Sequence, residues 1–221
     1  MIRHNVRTEC WGFAVGSALF ALGSAPGFAH WAGAPAANIS FFVGSWFFTF
    51  AAFVQLQLCG SLRGPTTSIA GSVRVGREVH RSEWWSAMVQ FAGTIAFNIS
   101  TGVVFIVHSV VEADRFSWRP DVYGSAAFLI SSGLAVFATE LYRRRDEPDA
   151  PGWTATVLNT VGSIAFGFSG VAAYIDPETG KVVAPFVDQA GTFIGALCFL
   201  AASLISLPRR PVRALASEDD E

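Results

Sequence analysis

The sequence predicts an all-α fold: a polytopic transmembrane bundle of six helices, arranged as three parallel-repeated hairpins with the N and C termini in the cytoplasm. Three observations lead to this prediction: the composition, six long apolar runs, and the placement of the arginines. The chain has 221 residues, of which 52% are hydrophobic and 14% are charged. Soluble domains carry about 25% charged residues, so this composition favours a membrane protein.

Six runs are long enough to span a bilayer, which takes about 20 mostly apolar residues. They are residues 11–29, 39–58, 85–111, 122–141, 153–175 and 189–207. Apart from Glu140, none contains a charged side chain. Since backbone groups in lipid must bond within the segment, each run is expected to be a helix. A signal peptide cleaved near Ala29 is the alternative for the first run, and a retained helix is preferred because it pairs with the second.

The cationic residues divide unequally between the two sides that six spans create. One side receives Arg115, Arg119 and Lys181. The other receives twelve arginines, namely Arg3, Arg7, Arg63, Arg74, Arg77, Arg81, Arg143, Arg144, Arg145, Arg209, Arg210 and Arg213. By the positive-inside rule, the Arg-rich side faces the cytoplasm. We therefore predict one transmembrane domain over residues 1–213, including a cytoplasmic loop over residues 60–83, and an acidic disordered tail over residues 214–221.

A short element recurs within the apolar runs. Gly93-Thr94-Ile95-Ala96-Phe97 corresponds to Gly162-Ser163-Ile164-Ala165-Phe166, and each follows a tryptophan by nine residues. The first run has Gly16 followed by Phe20, and the second and sixth have Gly44 with Phe48 and Gly195 with Phe199. This recurrence predicts hairpins over residues of about 10–60, 84–142 and 153–208.

Small residues in these runs indicate close helix packing, because glycine lets a neighbouring helix approach. The candidate packing residues are Gly12, Gly16, Gly44, Gly93, Gly162, Gly191 and Gly195.

The hairpin unit resembles a known family. Residues 153–174 (WTATVLNTVGSIAFGFSGVAAY) and 191–200 (GTFIGALCFL) carry the resemblance, which is to the YrhK-like integral membrane proteins. It would cover residues of about 11–210 as several copies of a two-helix unit. The resemblance implies a fold made of short hydrophobic hairpins, and it implies no activity.

Polar residues form a stripe on the third run. Gln90, Thr94, Asn98 and Thr101 share one helical face, and Asn159, Thr160 and Ser163 lie at comparable depth on the fifth. Amides in lipid are expected to point inward. Two interpretations stay open: a polar path or ligand site between the third and fifth helices, or hydrogen bonds that join helices.

The sequence offers no motif for catalysis, for a cofactor or for a metal. His108, Glu112, His30, Asp114 and Asp121 fall on the predicted outer side but form no dense ligand cluster. We therefore predict a non-enzymatic structural or interaction protein, with the lipid bilayer and either a second copy or another membrane protein as partners. No feature of the sequence suggests a nucleic-acid partner. The alternative is a small-solute carrier or channel. The strong preference for arginine over lysine is typical of GC-rich codon usage and indicates a bacterial genome. We therefore predict that the protein lies in the bacterial inner membrane.

Overall fold

The computed structural model describes residues 6–60, 70–143 and 152–208, and within these ranges the fold is all-α. The predicted acidic tail at 214–221 lies outside the described residues. So do several of the arginines that define the predicted orientation, namely Arg3, Arg63, Arg144, Arg145, Arg209, Arg210 and Arg213.

Six long helices and three short helical segments make up the described chain. They are α1 (Val6–Ser24), α2 (Phe28–Ala32), α3 (Ala34–Cys59), α4 (Ala70–Val103), α5 (Val110–Glu112), a π-helical turn (Ala113–Trp118), α6 (Arg119–Arg143), α7 (Trp153–Ala172) and α8 (Pro185–Ile205). Each long helix contains most of one predicted apolar run.

The first connection differs from the prediction, which continued the first helix to residue 29 and began the second at 39. Helix α1 ends at Ser24, and the chain turns at Gly27 with a φ of +83°. Gly33, with a φ of +88°, then leads into α3, which has Pro35 in its first turn. Glycine adopts these left-handed conformations without strain, and proline is well suited to a first helical turn.

Helix α4 also differs from the prediction, because it begins at Ala70 within the expected cytoplasmic loop. Hydropathy locates the apolar part of a helix, and an Arg-containing extension can remain helical beyond it. At its other end α4 stops at Val103, before the predicted residue 111. Helix α5 follows, and Ser109 caps it by accepting a hydrogen bond from the Glu112 backbone N–H at 3.2 Å.

The six long helices form a closed ring. Around it, α1 packs on α3, α3 on α4, α4 on α6, α6 on α7 and α7 on α8, and α8 packs back on α1. Consequently α6 lies between α4 and α7, the two helices between which one interpretation of the polar stripe placed a polar path.

Six phenylalanines fill the centre of the ring, one from each long helix. Each is between 3% and 5% exposed: Phe20, Phe48, Phe97, Phe128, Phe166 and Phe199. The rings from α1, α4 and α7 contact one another, with centroids 5.9 to 6.4 Å apart. The rings from α3, α6 and α8 form a second triangle at 5.6 to 6.3 Å. These separations are typical of favourable aromatic contacts. We call this group the phenylalanine cluster.

Glycines lie four residues before all six phenylalanines and meet in pairs. A Cβ on Gly16 would lie 3.0 Å from the Gly44 carbonyl oxygen, and one on Gly44 would lie 3.1 Å from the Gly16 oxygen. The same reciprocal approach joins Gly93 to Gly124, at 3.2 and 3.1 Å, and Gly162 to Gly195, at 3.1 and 2.9 Å. Gly124 with Phe128 was not recognised in the sequence, although its spacing is the same.

Four described helical stretches are long and apolar enough to cross a membrane: Ala34–Cys59, Val110–Glu140, Trp153–Ala172 and Pro185–Ile205. Helix α1 carries Arg7 and Glu9 in its first turn, and α4 is rich in hydroxyl and amide side chains, which lowers their hydropathy. Large apolar side chains face outward, such as Trp46, 55% exposed, and Phe168, 66% exposed. An apolar outer surface of this kind suits contact with lipid, so the chain is a multi-pass membrane protein.

Candidate functional site

A large cavity opens at one end of the ring, where α1, α4 and α7 end and α3, α6 and α8 begin. Its volume is about 530 Å³, and its lining includes Ser100, Thr101, Trp118, Asp121, Asp188 and Thr192. We call this cavity the vestibule. Phe20 and Phe166 of the phenylalanine cluster also line it. The vestibule therefore extends from the end of the bundle to its central core.

Two carboxylates lie in the vestibule, each near the start of a helix. Asp188 accepts a hydrogen bond at Oδ1 from the Ser169 hydroxyl at 2.8 Å. Asp121 Oδ2 lies 3.3 Å from the position that a Cβ on Gly170 would occupy. Both aspartates are in the first turn of their helices, where the helix dipole favours negative charge. The chain thus holds the two carboxylates against consecutive residues of α7.

Hydroxyl and indole groups hold this part of the vestibule in place. The Ser169 hydroxyl contacts the Thr192 hydroxyl at 2.6 Å, and its one hydrogen is shared between Asp188 Oδ1 and the Asp188 carbonyl oxygen, which lies at 2.9 Å. The Trp118 indole N–H donates to the Gly170 carbonyl at 2.9 Å. Its ring packs edge-on against Tyr174, with centroids 4.9 Å apart. Helix α7 is therefore tied to α8 and to the π-helical turn that leads into α6, beside the two aspartates.

The charged residue types among the described residues that line the vestibule are all acidic. Among the described residues that line it there is no lysine, arginine or histidine. Arg119, the nearest cationic residue in sequence to Asp121, forms an ion pair with Asp114 at 2.8 Å. The two aspartates are therefore the charged residue types of this lining, and no described lysine, arginine or histidine of the lining pairs with them.

A second, much smaller cavity of about 60 Å³ lies toward the opposite end of the ring. Its polar lining includes Glu9, Gln55, Gln90 and Asn159. The Gln55 Oε1 atom is buried and has no hydrogen-bond partner among the described residues. A cavity of this size and polarity has room for a few water molecules. We call it the inner cavity.

The structure separates the residues of the predicted polar stripe. Gln90 and Asn159 meet at the inner cavity, whereas Thr101 lines the vestibule. Asn98 is turned toward α3, where its Nδ2 donates to the Thr49 hydroxyl at 2.8 Å. Phe97, in the middle of the stripe, belongs to the phenylalanine cluster. No continuous polar lining joins the two cavities through the described residues.

The other predicted stripe residues bond within or between helices. Thr94 donates to the Phe91 carbonyl at 2.7 Å, and Thr160 donates to the Thr156 carbonyl at 2.8 Å. The Ser163 hydroxyl is 2.7 Å from the Ser132 hydroxyl of α6. These three side chains satisfy backbone or neighbouring groups in the packed ring.

The seven predicted packing glycines all lie where a side chain would meet a neighbouring helix. A Cβ on Gly12 would be 2.9 Å from the Ala51 Cβ, and one on Gly191 would be 2.8 Å from the Ala165 carbonyl oxygen. Gly93 would place its Cβ 2.9 Å from the Ala127 Cβ. Gly16, Gly44, Gly162 and Gly195 form the reciprocal pairs described above.

The pair of aspartates was not predicted from the sequence. Asp121 and Asp188 each stand directly before a predicted apolar run, on the same predicted side of the membrane. That shared position was the available signal. Glu112, considered as a metal ligand with His108, instead accepts a hydrogen bond from the His108 backbone N–H at 3.0 Å. Within the described ranges no group of three potential ligands could hold a metal ion.

Comparison with known proteins returned no relative of this chain. A scan against protein families found no match, a search of curated proteins found none, and a search of solved structures found none. The resemblance to the YrhK-like proteins therefore stays a prediction.

Proposed function

We propose that this chain crosses the bacterial inner membrane six times, as three two-helix hairpins with both termini in the cytoplasm. The closed ring, the three reciprocal glycine pairs and the division of arginines support this arrangement. Helices α1, α4 and α7 would then run outward, and the vestibule would open on the outer face of the membrane.

Within this arrangement we infer that the protein is a non-enzymatic small-solute carrier or channel. The conformation that the structure shows is closed at its centre. The vestibule carries this proposal, because a cavity of about 530 Å³ that reaches the core has the size of a small-molecule site. Charged side chains within a membrane bundle commonly mark substrate or ion pathways.

The phenylalanine cluster separates the vestibule from the inner cavity. Phe20 and Phe166 line the vestibule, and Phe199 lines the inner cavity. Passage of a solute between the two cavities would require these rings to move apart. The cluster would therefore act as the gate of the carrier.

A structural or interaction protein is the second candidate, and the bonding of the polar stripe favours it. Asn98, Ser163 and Thr94 contribute to packing, as expected of interhelical hydrogen bonds. In this case the outward apolar surface would contact lipid and either a second copy of the chain or another membrane protein.

Solute flux through reconstituted liposomes distinguishes the two candidates. Stopped-flow light scattering would follow the entry of urea and of methylammonium chloride into liposomes that contain the protein. A carrier or channel predicts faster entry of at least one solute than into empty liposomes. Phe97→Ala, which removes one ring of the gate, should increase that rate further.

The matched control is Phe168→Ala, which removes an outward-facing ring of the same helix bundle. It should leave the flux at the level of the unmodified protein. The carrier proposal would be overturned, and the structural one favoured, if solute entered three kinds of liposomes at the same rate: empty liposomes, liposomes with the unmodified protein and liposomes with a folded Phe97→Ala variant.

A further inference from the structure

We propose that an anionic phospholipid binds a groove on the outer surface of the ring, between α1 and α3, with its phosphate group at Arg7. We call this surface the lipid groove, and its lining includes Arg7, Trp11, Gly12, Val15, Phe47 and Phe50. None of these residues lines the vestibule or the inner cavity. The inference therefore goes beyond the proposed carrier and does not depend on it.

The groove forms where α1 and α3 pack closely together. Its volume is about 440 Å³, which is within the range of small-molecule sites. A Cβ on Gly12 would lie 2.9 Å from the Ala51 Cβ, so no side chain of Gly12 fills the space between the helices. Trp11, Phe47 and Phe50 are each between 38% and 48% exposed. The groove is therefore an apolar surface with aromatic side chains from both helices.

Arg7 lies at one end of the groove, in the first turn of α1. Arg7, Trp11 and Val15 follow one another at intervals of four residues, so they share one face of the helix. Among the described residues, neither the Arg7 guanidinium nor the Trp11 indole N–H has a hydrogen bond or an ion pair. No acidic residue is among the described lining residues, and the neighbouring Glu9 lines the inner cavity instead.

The order of these groups along α1 matches the parts of a phospholipid. Under the proposed orientation Arg7 lies at the cytoplasmic surface, and Trp11 lies one turn deeper, where indoles prefer the boundary between headgroups and hydrocarbon. Val15 and Phe47 lie deeper still, at the level of an acyl chain. Cytoplasmic leaflets contain anionic lipids, and basic pockets between transmembrane helices on that side bind their headgroups.

An anionic lipid would cover both the charged end and the apolar part of the groove. A soluble anion such as inorganic phosphate would contact Arg7 but leave the apolar part uncovered. Phosphatidylcholine would bring a cationic group near Arg7, whose own charge has no acidic partner in the described lining. The charge and the lining together therefore favour an anionic phospholipid.

Native mass spectrometry of the delipidated full-length protein in detergent tests this inference. Phosphatidylglycerol is the probe, phosphatidylcholine with the same acyl chains is the matched lipid, and inorganic phosphate is the soluble competitor. Arg7→Gln removes the charge, and Val15→Trp fills the groove. Arg81→Gln, at an exposed position of α4, and Val161→Trp, at an exposed position of α7, are the matched controls.

We expect the first phosphatidylglycerol to bind at least about fivefold more tightly than phosphatidylcholine, because the guanidinium attracts the anionic headgroup. Arg7→Gln should remove this difference, and Val15→Trp should weaken the binding of both lipids. Arg81→Gln and Val161→Trp should leave binding unchanged, and inorganic phosphate at equal concentration should not displace the lipid. Thermal unfolding of each variant would verify that it is folded.

The contrary outcomes overturn the inference in distinguishable ways. Equal binding of the two lipids to the unmodified protein would show that the groove does not select for charge. An equal loss in Arg7→Gln and Arg81→Gln would show diffuse attraction to a basic surface. Unchanged binding in Val15→Trp would mean that the lipid binds elsewhere, and displacement by inorganic phosphate would indicate a simple anion site. The liposome flux experiment tests the carrier separately from all of these.

Discussion

Gly16 of α1 and Gly44 of α3 face each other so closely that neither position has room for a side chain. A Cβ on Gly44 would lie 2.8 Å from Phe20 Cδ2, and one on Gly16 would lie 3.2 Å from Phe48 Cδ2. Each glycine thus makes space for the phenylalanine that follows the other. The same relationship holds for the other two glycine pairs, so these contacts position all six rings of the phenylalanine cluster.

Gly44→Ala should therefore destabilise the bundle. The new methyl group would overlap the Phe20 ring and the Leu19 Cβ, which is 3.1 Å away, so the ring or the two helices would have to shift. Overpacking of this kind costs about 1–3 kcal/mol. Reversible unfolding in mixed micelles, followed by circular dichroism, measures the change.

Gly133→Ala is the matched control, because Gly133 is exposed on α6 and nothing lies within 4 Å of its Cβ position. Alanine there should be neutral or stabilise the helix by up to about 1 kcal/mol. If both substitutions had the same effect, the close approach of Gly16 and Gly44 would not determine stability.

Phe97→Ala should destabilise the protein, because it removes a ring that contacts those of Phe20, Phe128 and Phe166. A cavity at the centre of a packed core costs about 3–5 kcal/mol for Phe→Ala. The free energy of unfolding in micelles is again the measurement. Phe168→Ala, at an outward-facing position, should change it by less than about 1 kcal/mol, and a comparable loss there would show that the cluster is not the core.

Asn98 and Thr49 should be energetically coupled. Their hydrogen bond of 2.8 Å joins α4 to α3, and such bonds between membrane helices average about 0.6 kcal/mol. A double-mutant cycle with Asn98→Ala and Thr49→Ala would measure the coupling. Additive effects would instead leave Asn98 available for the solute path that its position in the stripe suggested.

The connection between α7 and α8 should open at low pH. The Glu178 backbone N–H donates to Asp176 Oδ1 at 2.9 Å and the Thr179 hydroxyl donates to Oδ2 at 2.8 Å, and these bonds lower the pKa of Asp176. Because the pKa is lowered by folding, the stabilisation is complete above the ordinary aspartate pKa of about 3.9. It is lost as the pH falls through the lower pKa of the folded chain.

Hydrogen exchange of the Glu178 amide, expressed as a protection factor, measures this opening. Protection should fall on acidification in the unmodified protein. Asp176→Asn keeps an acceptor oxygen but does not titrate, so its protection should not depend on pH. Constant protection in the unmodified protein through the acid range would contradict the assignment to Asp176.

Much of the fold could be predicted from the sequence because helical spans leave strong local signals. The apolar runs located all six long helices, and the spacing of Gly93 with Phe97 and Gly162 with Phe166 indicated the central packing. The helical part of α4 before residue 85 was not predicted, because its polar residues resemble a loop by hydropathy. The short helices after Ser24 and Val103 were not predicted either, because they depend on local turns that hydropathy does not indicate.

The candidate site was harder to predict because it depends on the order of helices around the ring. A stripe on one helix does not reveal which neighbour it faces, and Asn98 faces α3 and not α7. Asp121 and Asp188 are far apart in sequence, and they line the same cavity because α6 and α8 both pack on α7. Their shared position before an apolar run could have suggested a common site, but only the packing shows it.

The most direct test of the central claim is solvent access to the vestibule from outside the cell. With Cys10, Cys59 and Cys198 replaced by alanine, Thr192→Cys would be exposed to a membrane-impermeant thiol reagent in intact cells, with Glu178→Cys and Thr94→Cys as controls. We expect labelling at positions 192 and 178 and none at position 94, because Thr94 is fully buried. Labelling at 178 without labelling at 192 would mean that the vestibule is closed to solvent and would contradict a vestibule that opens on the outer face.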